Sequence, residues 1–213
     1  MSDLEEKRQF FQIKLKAGMR LDPAALFGNA NPVHWEIGSG RGEFLIQTAL
    51  AHPEINFLAL ELKEKRIKTI LRQIDPQTHR NIRLIRLFVN EQITDLIPDG
   101  SFQTIYIIHP DPWPKKRHHR RRLLQPGFID VLFHLLQDGG AVKISTDHQE
   151  YAQWIVKLFL SRNDFTSVYE NGFSRSRPAG QVETFFEKVK RKEGFPPYFM
   201  EFRKKQDSIS VSP

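Results

Sequence analysis

From residue 33 onward, short apolar runs alternate with longer segments of helical spacing, and this alternation restricts the fold more than any other feature. The runs are VHWEI (33 to 37), NFLALE (56 to 61), IRLIRLFV (82 to 89), FQTIYII (102 to 108) and the glycine-initiated GGAVKIST. Between them Ile67, Ile70, Leu71 and Ile74 recur at i, i+3, i+4 and i+7, and Ala152, Ile155, Val156 and Phe159 repeat that spacing. EFLIQTALA and residues 126–137 also read as helical. Buried-type strands separated by amphipathic helices describe a mostly parallel sheet covered on both faces. In such a sheet, ligands bind outside the carboxyl ends of the strands, near the point where strand order reverses.

The flanks differ in character. Residues 1–32 form a mixed-charge arm ending in FGNANP, expected to be a peripheral lead-in. Residues 33–205 are expected to make one domain, since 213 residues suit a single decorated core. From about 164 to 203, FTSVYE, ETFFEKVKRK and PPYFMEFRK read as strands that give the sheet an antiparallel C-terminal edge. Residues 206–213 are expected to be a disordered tail. Cysteine is absent, which removes disulfides, thiolate nucleophiles and thiolate zinc sites. The charged start and the lack of a long apolar segment argue against a signal peptide or a membrane partner, so a cytoplasmic protein is expected.

Where the first strand should hand over to a helix stands EIGSGRGE, residues 36 to 43. Gly38, Gly40 and Gly42 let the backbone turn sharply and approach a ligand, and the helix that follows offers free amide donors. A dinucleotide fingerprint would need glycine at 43, where this chain has Glu43. Glu61 ends the next strand, 23 residues after Gly38, where a carboxylate can accept ribose hydroxyls. Asn90 ends the third strand, where its amide could face an adenine, and Glu36 could meet an ammonium group. In register within one alternation, these residues favour S-adenosylmethionine over NAD. No G-x-x-x-x-G-K-[ST] pattern supports a P-loop.

The fourth strand runs into HPDPWPKKRHHRRR, residues 109 to 122. Pro110 and Pro112 fix their own φ angles and push the residues before them toward extended geometry, so Asp111 should be held in place at the strand end. Trp113 offers a flat surface for a base. The basic run that follows, within a chain of net charge +7, suits a phosphate backbone, with the acid and the ring left to read one base. His118 and His119 are adjacent and lack further ligands at metal spacing, so no metal is expected; His109 reads as a packed strand-end residue.

Together EIGSGRGEF, the strand-end Glu61, HPDPWPKKRHHRRR, STDHQEYA and the late TFFE resemble the tRNA (guanine-N7)-methyltransferase family, bacterial TrmB type, over residues 33 to 203. The resemblance implies a Rossmann-like class I S-adenosylmethionine-dependent fold and methyl transfer to N7 of a guanine in tRNA, position 46 of the variable loop. S-adenosylhomocysteine would be the other product. It implies Glu36, Gly38, Gly40, Glu61, Asn90 and Asp111 on the cofactor side, with Asp111 also the catalytic acid. Lys115, Asp147, Thr184, Phe185, Phe186 and Glu187 would contact the guanosine, and Arg117, His118, His119, Arg120, Arg121 and Arg122 the RNA. Neither a metal nor an obligatory protein partner is implied. The third-strand position is Asn90 where some relatives have Asp, and RSRPAGQVETFFE is longer than the spacing in some members.

Guanine N7 presents a lone pair and no proton, so the expected role of Asp111 is electrostatic rather than that of a base. By the same resemblance, Asp147 and Glu187 would accept hydrogen bonds from the guanine N1 and N2 edge. Two rivals remain open on residues alone. An exocyclic amino methyltransferase would use [DN]-P-P-[YFW], whereas here the aromatic stands one place early. A noncatalytic RNA-binding module would bind RNA without the cofactor.

Overall fold

A computed structural model describes residues 2–206; most of the expected C-terminal tail therefore lies outside the described residues. The N-terminal arm is built into the fold. Helix α1 (Asp3–Phe11) buries Phe11, and β1 (Gln12–Ile13) pairs in parallel with the strand at 82–85, Gln12 opposite Leu84. Arg8 of α1 reaches Glu64 at 2.6 Å. A two-residue strand leaves no periodic trace, which is why this segment reads as a loose lead-in.

The alternation that follows is β2 (Val33–Ile37), α2 (Glu43–Ala51), β3 (Asn56–Leu60), α3 (Glu64–Gln73), β4 (Ile82–Ile85), α4 (Ile93–Leu96), β5 (Phe102–Ile108), α5 (Pro126–Leu135), β6 (Leu136–Thr146) and α6 (Gln149–Leu160). The chain closes with β7 (Phe165–Ser167), α7 (Phe185–Lys192) and β8 (Tyr198–Lys204). The sheet order is β1-β4-β3-β2-β5-β6-β8-β7, parallel from β1 to β6 and antiparallel where β8 meets β6 and β7. Strand order reverses at β2, with β3 and β4 on one side and β5 and β6 on the other.

Both faces of the sheet are dry, which explains the near-continuous apolar runs. On β3, Leu58 and Leu60 face one core while Phe57 and Ala59 face the other. Helix α3 lays Ile67, Ile70 and Leu71 onto the second core with its charged residues outward, as its spacing requires. Each such fully buried aliphatic side chain contributes roughly 1.5–3 kcal/mol. β4 stops at Ile85, four residues short of the apolar run, and the chain through Asn90 turns along the sheet end.

ETFFEKVKRK, expected as a strand, is helix α7. A reciprocal capping box starts it: the Thr184 hydroxyl accepts from the Glu187 amide at 3.2 Å, and Glu187 Oε2 accepts from the Thr184 amide at 2.9 Å. That pairing satisfies two donors no helix can satisfy internally. The two phenylalanines that suggest a strand point outward, Phe185 68% and Phe186 43% exposed.

Candidate active site

A cleft of about 940 Å³ opens over the carboxyl ends of β2, β3 and β5, at the reversal of strand order, and Gly38, Glu61, Asn90 and Asp111 all line it. Phe88 and Trp113 add aromatic walls. Asn90 stands in the turn before α4 rather than at a strand end, its Oδ1 accepting the Gln92 amide at 3.1 Å. Gly40 lies against the rim through Glu61, and Glu36 is buried at the penultimate position of β2, just before the loop.

The glycine loop has the conformation that its residues permit. Gly38, Gly40 and Gly42 have φ of +78°, +59° and +81°. The amides of Gly38 and Ser39 both donate to the Leu60 carbonyl, at 2.8 and 3.2 Å, folding the loop over β3. A Cβ at Gly38 would meet nothing within 4 Å, so this backbone is bare toward the cleft. At Gly42 a Cβ would fall 2.7 Å from Ile70 Cγ1, so glycine there sets the approach of α2 to α3.

Two carboxylates differ in duty. Glu61 accepts the Gly40 amide at 2.9 Å and the Lys63 amide at 2.8 Å, with Arg66 at 3.4 Å. An ionised carboxylate has about four acceptor sites, so the oxygens that shape the loop keep capacity for hydroxyl donors. Glu36 is 2% exposed, and its Oε2 is buried with no hydrogen-bond partner. Burial, with Glu61 nearby adding like charge, pushes its carboxyl up to about 7. The bare loop, the acceptor Glu61 and a buried acid with one unpartnered oxygen fit a nucleoside-bearing ligand that also carries an ammonium group.

The turn after β5 departs from the expected geometry. His109, before Pro110, is left-handed at φ +50° rather than extended, and Trp113 has φ +42°. Such conformations cost on the order of 1–3 kcal/mol each and persist only where surroundings impose them. The His109 amide donates to the Ser145 carbonyl at 2.9 Å, and Arg122 Nε donates to the Pro112 carbonyl at 2.9 Å. Between these anchors Asp111 is exposed, and among the described residues its carboxylate forms no hydrogen bond or ion pair.

Lys116–Arg121 forms a 3-10 turn with Lys115, Lys116, Arg117, Arg120 and Arg121 exposed and His118 and His119 partly so. Arg121 lies over the Trp113 ring at 5.1 Å. Arg122 stands apart from this surface, against the expectation of an RNA contact: its side chain has no exposure and its guanidinium is engaged by Pro112, His119 and Glu150.

The other flank gathers Asp147, His109 and α7. His109 Nδ1 stands 3.7 Å from Asp147 Oδ1, longer than a hydrogen bond, and its ring meets Phe186 edge-on at 4.7 Å. Burial opposes ionisation of Asp147, yet the His109 ring, its own backbone amide and the Lys190 ammonium hold the carboxyl below the usual carboxylate range. The Phe185 amide donates to Glu43 Oε2 at 2.8 Å, fastening α7 to the first turn of α2. Glu187 is 1% exposed with one oxygen committed to the cap, while its Oε1 is buried without a hydrogen-bond partner, 3.8 Å from Arg177 Nε. Thr184, likewise buried, caps.

Glu150 is the residue beside this site that the sequence did not single out; Arg122 and His109 were singled out, as an RNA contact and as a packed strand-end residue, and the burial of one arginine within a basic run is a tertiary property with no local signal. Among the described residues no group of three or more His, Asp or Glu could hold a metal, and no helix is long and apolar enough to cross a membrane.

Residues 30–198 match a family model described as "Putative methyltransferase". A tRNA (guanine-N(7)-)-methyltransferase of Rhodospirillum rubrum is 37% identical over 193 residues, 90% of this chain and 75% of the relative. One from Nitrosococcus oceani is 36% identical over 188 residues, 88% and 78% of the two chains. Among solved structures, a precorrin-6y C5,15-methyltransferase from Geobacter metallireducens has a TM-score of 0.55 at 16% identity, covering 83% of this chain and 80% of that one. An rRNA methylase from Streptococcus thermophilus has a TM-score of 0.54 at 16% identity, covering 83% and 88%.

Proposed function

The chain belongs to the tRNA (guanine-N7)-methyltransferase family, and on that premise we propose that the cleft over β2, β3 and β5 is where it methylates N7 of a guanine in tRNA. Its fold is that of the Rossmann-like methyltransferases. S-adenosylmethionine supplies an activated sulfonium methyl group. The carrying observation is Asp111: an exposed carboxylate without a partner, fixed between two left-handed residues at the mouth of a cleft that also holds Gly38, Glu61 and Asn90.

Each residue then has a task. Glu61 accepts ribose hydroxyls while fixing the glycine loop, Asn90 offers an amide to the adenine, and Glu36 receives the ammonium group that its buried oxygen lacks. Because N7 of guanine carries a lone pair and no proton, no base is needed before attack. Asp111 stabilises the positive charge that develops on the ring and orients the base. Asp147, kept ionised, accepts from the guanine edge, and Phe186, packed on the His109 ring, offers an apolar contact. Lys115, Lys116, Arg117, Arg120 and Arg121 grip the backbone, fixing register without specifying sequence. The target within the tRNA is proposed to be position 46 of the variable loop.

Labelled methyl transfer to unmodified tRNA, followed by nucleoside analysis, tests the reading. The expected product is 7-methylguanosine, lost when the variable-loop guanine is replaced by adenine. Label on an exocyclic nitrogen, or tight tRNA binding with no transfer, would overturn it.

A further inference from the structure

The basic run supplies five exposed cations and one that is wholly inside. The Arg122 side chain has no exposure, and its guanidinium is flanked by the rings of Tyr151 and Trp154 at 4.9 and 5.4 Å. Its donors are spent in three directions. Nε donates to the Pro112 carbonyl at 2.9 Å; Nη1 donates to Glu150 Oε1 at 3.2 Å while Nη2 bonds Glu150 Oε2; and Nη2 lies 3.0 Å from His119 Nε2. The Pro112 carbonyl belongs to the peptide that enters left-handed Trp113, directly after Asp111.

We propose that Arg122 is a positioning residue for the reaction: it closes the base of the loop 111–122 onto α6 and thereby fixes Asp111 and Trp113 at the cleft, making no contact with nucleic acid. The proposal rests on the reading of the cleft given above. The partners of Arg122 in α6, Glu150, Tyr151 and Trp154, are spaced along one face of that helix. The exit of the loop is zipped to the same face, with the Leu124 amide donating to the Tyr151 hydroxyl at 3.4 Å and Trp154 Nε1 donating to the Leu124 carbonyl at 3.1 Å. A planar fork with five donors can serve the carbonyl and both carboxylate oxygens at once; a lysine ammonium presents a point charge and cannot. Glu150 also cancels the charge of Arg122, so the field offered to RNA comes from the five outer cations.

The test compares Arg122→Lys, Glu150→Gln and Arg121→Ala with the wild-type chain. Three readouts are taken: single-turnover methyl transfer at saturating tRNA and S-adenosylmethionine, tRNA affinity at several salt concentrations, and trypsin nicking within residues 115–121 of the free protein. Arg122→Lys and Glu150→Gln are expected to lose transfer rate by on the order of tenfold to a hundredfold, as misplacement of a catalytic group does. Their tRNA affinity and its salt slope should stay at wild-type values, and their nicking should accelerate. Arg121→Ala should instead lower the salt slope by about 1. A wild-type transfer rate in Arg122→Lys and Glu150→Gln, or a salt slope reduced in Arg122→Lys as in Arg121→Ala, would overturn the proposal. Nicking separates the two readings. Should wild-type protein fail to methylate tRNA, the proposed function falls, while unchanged nicking in both loop variants sinks the clamp whatever the reaction is.

Discussion

Replacing Glu36 by glutamine removes one ionisation from a buried site, and the consequence for stability can be worked out with its sign. In the folded chain, burial and the nearby Glu61 push the Glu36 carboxyl from 4.5 up to about 7. Between those values the unfolded chain has released its proton and the folded chain still holds it. Stability therefore falls as pH rises from 4.5 to about 7 and is level above that. At about 1.4 kcal/mol for each tenfold change in the protonation equilibrium, the fall amounts to about 3 kcal/mol. Glu36→Gln should lack it. Compared at pH 4.5, the variant carries only the fixed cost or gain of an amide; by pH 8 it should have gained about 3 kcal/mol on the wild type, or roughly 6–12 °C in Tm for a domain of this size. Other titrating groups cancel in the difference. Urea unfolding of both proteins from pH 4.5 to 8 measures it, and parallel curves would refute the reasoning. S-adenosylhomocysteine, whose ammonium group favours the ionised acid, should flatten the pH dependence of the wild type and leave the pH dependence of the variant unchanged, whatever uniform stabilisation its binding adds.

Gly42→Ala places a methyl group 2.7 Å from Ile70 Cγ1 at φ +81°, so chemical denaturation should show a loss of about 2–4 kcal/mol from left-handed strain and overpacking together. A loss below about 0.5 kcal/mol would mean that α2 and α3 can part freely. Thr184→Ala removes half of the capping box and should weaken α7 by about 1 kcal/mol, read as lower amide-exchange protection in its first turn; unchanged protection would deny the cap its role. Asp111→Ala should lower turnover far more than tRNA affinity, whereas Arg121→Ala should weaken binding and flatten its salt dependence. The reverse pattern in transfer and binding assays would contradict the division of labour between them.

The features that sequence revealed are those with a period or a spacing. Strands buried on both faces leave unbroken apolar runs, α3 leaves a stripe, and Gly38 to Glu61 is a distance along the chain, so the sheet and the gathering of Gly38 and Glu61 at one cleft could be read directly. Helix α7 was legible too, through Thr184 and Glu187 three apart, but Phe185 and Phe186 drew the reading toward a strand because their outward placement has no local signature. At His109 the local rule misled: a residue before proline favours extended backbone, and here a hydrogen bond to Ser145 and packing against Phe186 hold it left-handed. Arg121 and Arg122 are adjacent and chemically identical, and only α6, arriving 28 residues later with Glu150, assigns one to solvent and the other to the interior.

That assignment bears on how the two acids at the mouth are related. Asp111 stands in a turn whose carbonyl at Pro112 is tied through Arg122 to α6, and Asp147 lies two residues before α6 begins. His109 spans the remaining gap, next to Asp111 in the turn and 3.7 Å from Asp147. Both carboxylates are thus tied to α6, Asp111 through Arg122 and Asp147 through the chain itself, so the packing of Arg122 against Glu150, Tyr151 and Trp154 bears on the positions of both. On the proposed function, that arrangement separates the groups that would orient a flat base from the exposed cations that would attract RNA, so that the first can be held still whatever the second do.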